Sequence, residues 1–214
     1  MKIRYLGHSA FAITSAKGVR IITDPYGTSP DLTYGEITGP ADVVTVSHEH
    51  FDHCNVDPIS GNPQVLRRAE SVKAAGIGFK GVIGYHDDER GRMRGGNIIF
   101  CFVVDGIRLC HLGDLGHRLD DKQLAEIGAV DILFIPVGGL YTIDAAMATA
   151  VCDQLKPGVI IPMHYRTAKG IPRIAGVDEF LRGKEKVKWL DTSQVEFRAG
   201  ELPDGQIIVL KPAL

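Results

Sequence analysis

The hydrophobic pattern of the chain differs between its ends and its interior. At both ends, short stretches with alternating or mostly apolar positions are bounded by turn residues, which is typical of β-strands. Six strands are predicted there, at residues 2–6, 10–14, 19–23, 186–190, 194–198 and 206–210. Further in, uninterrupted apolar runs at residues 42–47, 131–137 and 159–163 predict strands buried on both faces.

Turn and cap residues predict the remaining elements. An Asp105-Gly106 turn predicts a hairpin between residues 98–104 and 107–112. Helices are predicted at residues 120–128, 144–155 and 177–182. Strands at both ends with β-turn-α units between them suit two mixed β-sheets packed face to face with helices outside, an α/β arrangement.

Three local predictions depend on weaker patterns. Residues 65–75 suggest a short strand followed by a short helix, and residues 78–85 a strand that ends at His86. Thr142 is a suitable N-cap for the second helix. Residues 26–40 are rich in Gly, Thr and Pro without periodicity, which suggests a flap over a cleft.

Composition narrows the class of protein. A chain of 214 residues with 44% apolar and 23% charged residues is expected to form one domain over residues 1–214. A net charge of −2 makes nucleic acid or an acidic membrane an unfavourable partner. No apolar stretch approaches the ~18 residues of a spanning helix, and no signal-peptide core is visible. A cytoplasmic protein is therefore expected, and a homo-oligomer stays open.

The four cysteines form no Cys-x-x-Cys pair, so reduced and mostly buried thiols are expected. Counting residues outward from the predicted hairpin turn gives a specific prediction for two of these cysteines. With a two-residue turn at Asp105-Gly106, Cys101 lies directly opposite Cys110. In the cytoplasm this pair should remain as free thiols.

The strongest chemical signal is the hexapeptide His48-Glu49-His50-Phe51-Asp52-His53, which follows the apolar run 42–47. His48 and His50 project to the same side where the strand ends, because side chains alternate along extended chain. Asp52 and His53 can turn toward the same space. A solvated polar loop is the alternative, but imidazoles and a carboxylate gathered in this way suit divalent metals.

The hexapeptide is also the His-x-His-x-Asp-His signature of the metallo-β-lactamase superfamily. Further motifs match at the expected order and spacing: Leu6-Gly7-His8-Ser9, Ile22-Thr23-Asp24-Pro25, His111-Leu112-Gly113-Asp114 and Ile161-Pro162-Met163-His164-Tyr165. The chain thus resembles the branch that contains L-ascorbate-6-phosphate lactonase and metal-dependent hydrolases. The resemblance implies an αββα sandwich, with the metal ligands on loops along one edge.

The resemblance also implies a dinuclear centre. It assigns His48, His50 and His86 to one ion, Asp52, His53 and His164 to the other, and Asp114 between them. The ions would be two divalent metals, zinc first, with manganese or iron as alternatives. Such a site supports a hydrolase that uses a metal-bridging hydroxide on a small anionic substrate, a lactone, ester or phosphodiester. Asp52 or Asp114 would orient the water and take its proton.

Four histidines are candidates for the third imidazole ligand of the first ion: His8, His86, His111 and His117. His111 lies three residues before Asp114, and odd spacing on a strand places two side chains on opposite faces. His117 follows two glycines that leave it without a rigid framework. His86 directly follows a strand, and the family pattern expects a ligand there, so His86 is the predicted ligand.

Other residues have supporting roles in this prediction. The resemblance places Asp24 behind the metal loop, where it orients ligands, and His111 fits the same surroundings or the sheet interior. The predicted substrate-side residues are His8, Arg92, Arg94, Arg166 and Lys169, with ordinary solvated charges as the alternative for the four cationic residues.

Other functions compete with the hydrolase. A di-iron oxidoreductase on the same fold would typically carry a carboxylate where this chain has His50, together with a flavin domain. A non-catalytic, metal-stabilised interaction module is a further alternative, although every expected ligand type is present. An RNA-processing nuclease would need a basic surface that the composition does not provide.

Overall fold

The computed structural model describes residues 1–214. The strands, in chain order, are β1 Lys2–Gly7, β2 Ala10–Thr14, β3 Arg20–Thr23, β4 Val43–Thr45, β5 Gln64–Leu66, β6 Ser71–Ala74, β7 Ile77–Tyr85, β8 Gly96–Val104, β9 Ile107–His111, β10 Ile132–Pro136, β11 Val159–Met163, β12 Val187–Trp189, β13 Gln194–Glu196 and β14 Gln206–Val209. The helices are α1 Asp121–Ile127, α2 Ala145–Leu155 and α3 Val177–Leu181.

The strands form two mixed sheets, which confirms the predicted fold class. The smaller sheet has the order β13-β1-β2-β3-β4-β5 and the larger has the order β12-β14-β11-β10-β9-β8-β7-β6. Pairing is parallel from β3 to β5 and again from β9 through β10, β11 and β14 to β12. The carboxyl ends of these parallel strands form the edge on which the predicted ligands lie.

Alternation along the strands of the smaller sheet separates two hydrophobic layers. Ile3, Phe11 and Val43 join the main core, and Phe11 packs on Phe134 of the larger sheet with ring centroids 4.4 Å apart. Val44, next to Val43, belongs instead to a second cluster on the opposite face. The smaller sheet is therefore buried on both sides, as a sandwich with an outer layer requires.

The outer layer on the smaller sheet consists of irregular chain. Within residues 26–40, Tyr26, Leu32, Tyr34 and Ile37 are buried against that sheet. The Tyr26 hydroxyl shares its proton between the carbonyls of Leu6 and Gly35, which ties this segment to the end of β1. The predicted flap is thus a packed cover. All three helices occur in connections of the larger sheet, so the expected helical layer is found on one side only.

Two local predictions are wrong for identifiable reasons. Residues 65–75 contain no helix, because Ser71–Ala74 pairs with β7 across a tight turn at Ala75 and Gly76. Both turn residues have positive φ, as a two-residue hairpin requires. Helix α2 is capped by Asp144, whose carboxylate accepts from the backbone N–H of Met147, rather than by Thr142.

The predicted hairpin register is confirmed. Val104 pairs with Ile107, and Cys101 pairs with Cys110. The two sulfur atoms lie 3.8 Å apart, and all four cysteines are free. None of the helices is long and apolar enough to cross a membrane.

Candidate metal centre

Six loops at strand ends bring polar side chains to one edge of the sandwich. Each follows the carboxyl end of a strand, where the backbone leaves the sheet and its side chains are free of the core. The residues are His8 after β1, Asp24 after β3, His48, His50, Asp52 and His53 after β4, His86 after β7, Asp114 after β9 and His164 after β11. Strand order alone therefore gathers groups that are far apart in sequence.

Asp114 lies at the middle of this cluster. Its Oδ2 atom is 3.2 Å from the Nε2 atoms of His53, His86 and His164. All four side chains are buried, so water does not screen these contacts. One carboxylate oxygen thus faces three imidazoles from three separate loops.

Two groups of ligand atoms adjoin Asp114, and a third set, Asp24, His48 and His53, takes one histidine from each. Within each group the atoms lie within 4.8 Å of one another. The first group is His48, His50 and His86, and the second is His8, Asp52, His53 and His164. These are the two predicted sets, with His8 added to the second.

Unpartnered atoms show that this donor set fits cations. The Nε2 atoms of His48 and His53 are buried without a hydrogen-bond partner, as is Oδ1 of Asp114. Nε2 of His53 is close to Oδ2 of Asp114, but the contact lacks hydrogen-bond geometry. Buried polar atoms normally find partners, and imidazole nitrogens beside carboxylates are the ligands that zinc and similar divalent ions prefer.

A hydrogen-bond network behind the cluster orients two imidazoles. Asp24 accepts from Nδ1 of His53 at 3.0 Å and from the hydroxyl of Ser47 at 2.5 Å. The Ser47 oxygen is 2.9 Å from Nδ1 of His48. If Ser47 donates to Asp24, it accepts from His48, so both imidazoles carry their proton on Nδ1. The network thereby assigns a free Nε2 lone pair to His48 and His53.

Asn97 fixes the loop that carries Asp114. Its amide donates to the Leu112 carbonyl at 2.9 Å, and its oxygen accepts from the Asp114 backbone N–H at 2.9 Å. Asn97 is buried at the start of β8. Sequence reasoning missed it, although a polar residue opening an apolar strand was a visible signal.

Two glycines let the backbone approach the ligand loops closely. A Cβ on Gly116 would lie 2.3 Å from the carbonyl carbon of His86. A Cβ on Gly138 would lie 2.2 Å from the carbonyl oxygen of His164. Any larger residue would therefore displace a predicted ligand.

The competing histidines are placed differently from His86. Nε2 of His111 is 2.9 Å from the Ser9 carbonyl, and its Nδ1 accepts from the Gly113 backbone N–H. His117 accepts from the backbone N–H of Tyr85. Both support local backbone rather than face Asp114.

His8 lies closer to the cluster than a substrate-side residue would. Its Nε2 atom is 3.2 Å from Oδ2 of Asp52, and its ring centroid is 4.4 Å from that of His164. His8 has a φ of 52°, a left-handed conformation that costs energy in a non-glycine residue. Its carbonyl is fixed by Tyr5 Oη and by the backbone N–H of His164.

The surroundings set the charge states of these groups. Burial lowers the pKa of His48 to about 3 and that of His8 to about 4. Burial acts to raise the pKa of Asp114, but His164 and His53 outweigh it and hold that pKa well below the usual range. Burial acts to lower the pKa values of His53 and His86, but Asp114 outweighs it and raises both. A divalent ion would take the place of those protons, because a metal binds the neutral imidazole nitrogen.

A cavity of about 620 Å³ opens above the cluster. His50, Asp52, His86, Asp114 and His164 form its floor, and the remaining lining residues are Ser29, Asp31, Glu49, Phe51, Met93, Arg94, Tyr141, Ile171 and Arg173. The cavity is large enough for a small molecule.

Of the predicted cationic residues, only Arg94 lines this cavity. Arg92 is exposed and pairs with Glu89 at 3.0 Å, whereas Arg166 and Lys169 are exposed away from the lining. Arg173 does line it and was missed, because nothing in its loop distinguishes it from its cationic neighbours.

Comparison with known proteins identifies similar chains. Residues 2–164 match the family model described as a beta-lactamase superfamily domain. A metal-dependent hydrolase of Archaeoglobus fulgidus is 29% identical, over 94% of this chain and 97% of that protein. A metal-dependent hydrolase of Carboxydothermus hydrogenoformans is 32% identical, over 78% of this chain and 85% of that protein.

A solved structure resembles the whole fold. It is a candidate zinc-dependent hydrolase of the metallo-β-lactamase superfamily from Thermotoga maritima, 36% identical to this chain. The TM-score is 0.81, and the alignment covers 98% of this chain and 97% of that one.

Proposed function

This chain belongs to the metallo-β-lactamase superfamily, and we propose that it is a metal-dependent hydrolase with a dinuclear centre. The observation that carries the proposal is the position of Asp114. One oxygen of its carboxylate lies 3.2 Å from imidazoles of both ligand groups. A carboxylate between two histidine-rich groups is the arrangement that two-metal hydrolases use to hold both ions.

The residues that would hold the ions follow from the two groups. His48, His50 and His86 would hold one, and Asp52, His53 and His164 the other, with Asp114 shared. When bound, such ions supply Lewis-acid activation of water and of the substrate oxygen near neutral pH. The Thermotoga relative is described as zinc-dependent, which supports zinc as the first ion to test.

Carboxylates of the protein would accept the proton of the attacking water. Asp52 is half-buried on the cavity floor, and His8 contacts its Oδ2 atom. Burial acts to raise the pKa of Asp52, but His8 and His53 outweigh it and lower that pKa. An ionised Asp52 at the cavity floor can orient an attacking water and accept its proton, with Asp114 as the second such group.

The cavity walls favour a small anionic substrate. Arg94 and Arg173 line them, together with the apolar side chains of Phe51 and Met93. A compact ester, lactone or phosphodiester with a negative group and an apolar part would match these walls. Ascorbate-6-phosphate lactonase chemistry is one member of this class.

The first experiment measures metal content and hydrolysis together. Purified protein should contain about two divalent ions per chain. It should hydrolyse at least one member of a panel of lactones, aryl esters and phosphodiesters. Dipicolinate should remove the metal and the activity, and zinc or manganese should restore both.

A matched pair of variants provides the control. Asp114→Asn removes the central charge and should abolish activity, whereas Asp131→Asn removes a carboxylate that pairs with Arg108 away from the cavity. Full activity in metal-free protein would refute the proposal. Equal activity of Asp114→Asn and wild type would do the same.

A further inference from the structure

We propose that Arg94 selects the substrate through an oxyanion group, a carboxylate or a phosphate, and that the buried carboxylate of Asp87 is its positioning residue. The inference deepens the proposed function, because the oxyanion would belong to the molecule that is hydrolysed. Nothing in the metal-ligand pattern identifies either residue, since neither belongs to the ligand groups.

Asp87 organises the loop that carries Arg94. Oδ1 of Asp87 accepts from the backbone N–H groups of Glu89 and Gly91 at 2.9 and 2.8 Å. Oδ2 accepts from those of Met93 and Arg94 at 3.0 and 2.7 Å. A charged acceptor makes strong hydrogen bonds, so one side chain closes the loop and fixes the backbone of Arg94.

Arg94 contributes to the walls of two cavities. As a residue, Arg94 lines both the cavity above the metal centre and a second one of about 460 Å³ that His48 and His50 also line. It also lies over the ring of Tyr141, 5.6 Å from the ring centroid. A cation–π contact with the ring uses no N–H donor in a hydrogen bond, so the N–H groups of the guanidinium can bind a planar or tetrahedral oxyanion.

Charge pairing distinguishes Arg94 from two neighbouring arginines, Arg67 and Arg92. Arg67 pairs with Glu49 at 2.6 Å, and Arg92 pairs with Glu89 at 3.0 Å. Arg94 makes no such pair, although Glu49 and Asp31 line the same cavity. Because Arg67 already neutralises Glu49, the charge of Arg94 stays available to a ligand.

Anchoring also gives Arg94 an energetic advantage over an ordinary surface arginine. It is half-buried, whereas Arg90 and Arg92 of the same loop are exposed. A side chain whose backbone and ring contact are already fixed loses less conformational freedom when it binds. Preorganisation of this kind is what a specificity-determining residue requires.

The test measures binding of two probes to the metal-loaded protein by titration calorimetry. The probes are phenylphosphonate and benzoate, which separate phosphate-type from carboxylate-type recognition. Arg94→Gln should raise the Kd of at least one probe about tenfold, the loss expected for a charge-assisted contact. Arg90→Gln, which removes the same charge from an exposed position in the same loop, should leave both values unchanged.

The positioning role of Asp87 is tested by combining its substitution with that of Arg94. Asp87→Asn should raise the same Kd, and it should add nothing further in an Arg94→Gln background, because both changes remove one interaction. Gly91→Ala is a second loop variant, since a Cβ there would lie 2.9 Å from the Gly95 carbonyl oxygen. Gly91→Ala should also raise the Kd when Arg94 is present and should leave the Kd unchanged in the Arg94→Gln background. Additive effects of both loop variants would overturn the positioning role.

The outcomes separate this inference from the proposed function. Unchanged Kd values for both probes in Arg94→Gln would overturn the inference while hydrolysis and metal content stand. Absence of metal and hydrolysis in the wild type would instead refute the proposed function. In that case the same titration is made on the protein as purified, and weaker probe binding by Arg94→Gln than by wild type would still support an oxyanion site.

Discussion

Nδ1 of His53 donates to Oδ2 of Asp24 at 3.0 Å, and both side chains are fully buried. The same carboxylate bonds Ser47, which contacts His48. A single aspartate therefore determines the orientation of one imidazole in each ligand group. This relationship predicts that metal binding depends on Asp24, although Asp24 does not line the cavity.

Asp24→Asn should lower metal affinity about 10- to 100-fold, the usual effect of losing a group that orients a ligand. The amide would present a donor to His53 and Ser47, which favours the wrong tautomer. Competition with a chromophoric chelator measures the affinity. Asp131→Asn should bind metal normally, and equal affinities for the two variants would contradict the argument.

His86→Ala should remove one metal ion, whereas His111→Ala should leave metal content near normal. His86 contacts Asp114, but His111 contacts the Ser9 carbonyl in the sheet interior. Loss of that buried hydrogen bond should instead cost His111→Ala about 1–3 kcal/mol of stability. Metal analysis and chemical denaturation separate the two effects, and the reverse result would exchange the assignments.

Gly116→Ala should disturb the first ligand group, because the new methyl would meet the backbone of His86. We expect lower metal content and a lower Tm. Gly78→Ala is the control, since a Cβ at that strand position meets nothing within 4 Å. Normal metal binding by Gly116→Ala would show that the His86 loop can shift without loss of the ligand.

Asp87 should make stability depend on pH in the acid range. Burial acts to raise the pKa of Asp87, but backbone N–H groups of Arg94, Gly91, Met93 and Glu89 outweigh it and lower that pKa. The stabilisation is present above the unfolded pKa of about 3.9 and is lost as the pH falls through the lower folded value. Asp87→Asn should therefore have a lower Tm than wild type at neutral pH, and the difference should shrink below about pH 4. A constant difference across that range would contradict this.

The parts of the site that follow strands were predictable from the sequence. His48 and His50 alternate at the end of an apolar run, and His164 ends another, so their shared edge follows from strand geometry. The Cys101–Cys110 register followed from a two-residue turn. The alternation and the turn register are short-range features, for which spacing along the chain determines spacing in space.

The residues that the sequence did not identify depend on long-range packing. Arg173 and Asn97 meet the centre only because loops distant in sequence are folded against it. No local pattern distinguishes Arg173 from its cationic neighbours, whereas the one signal for Asn97 was a polar residue at the start of an apolar strand. The strand at Ser71–Ala74 was mistaken for a helix because its pairing with β7 outweighs its weak local pattern.

The irregular cover on the smaller sheet has a consequence for how this protein can change. Leu32 is buried in that cover, while Asp31 beside it lines the cavity. Tyr34 of the same segment contacts the hydroxyl of Thr167, in the loop that also carries Arg173. Substitutions that loosen the packing of this cover should therefore change which ligands bind before they change metal binding. A change in thermal stability at these positions should accordingly be accompanied by a change in ligand selectivity.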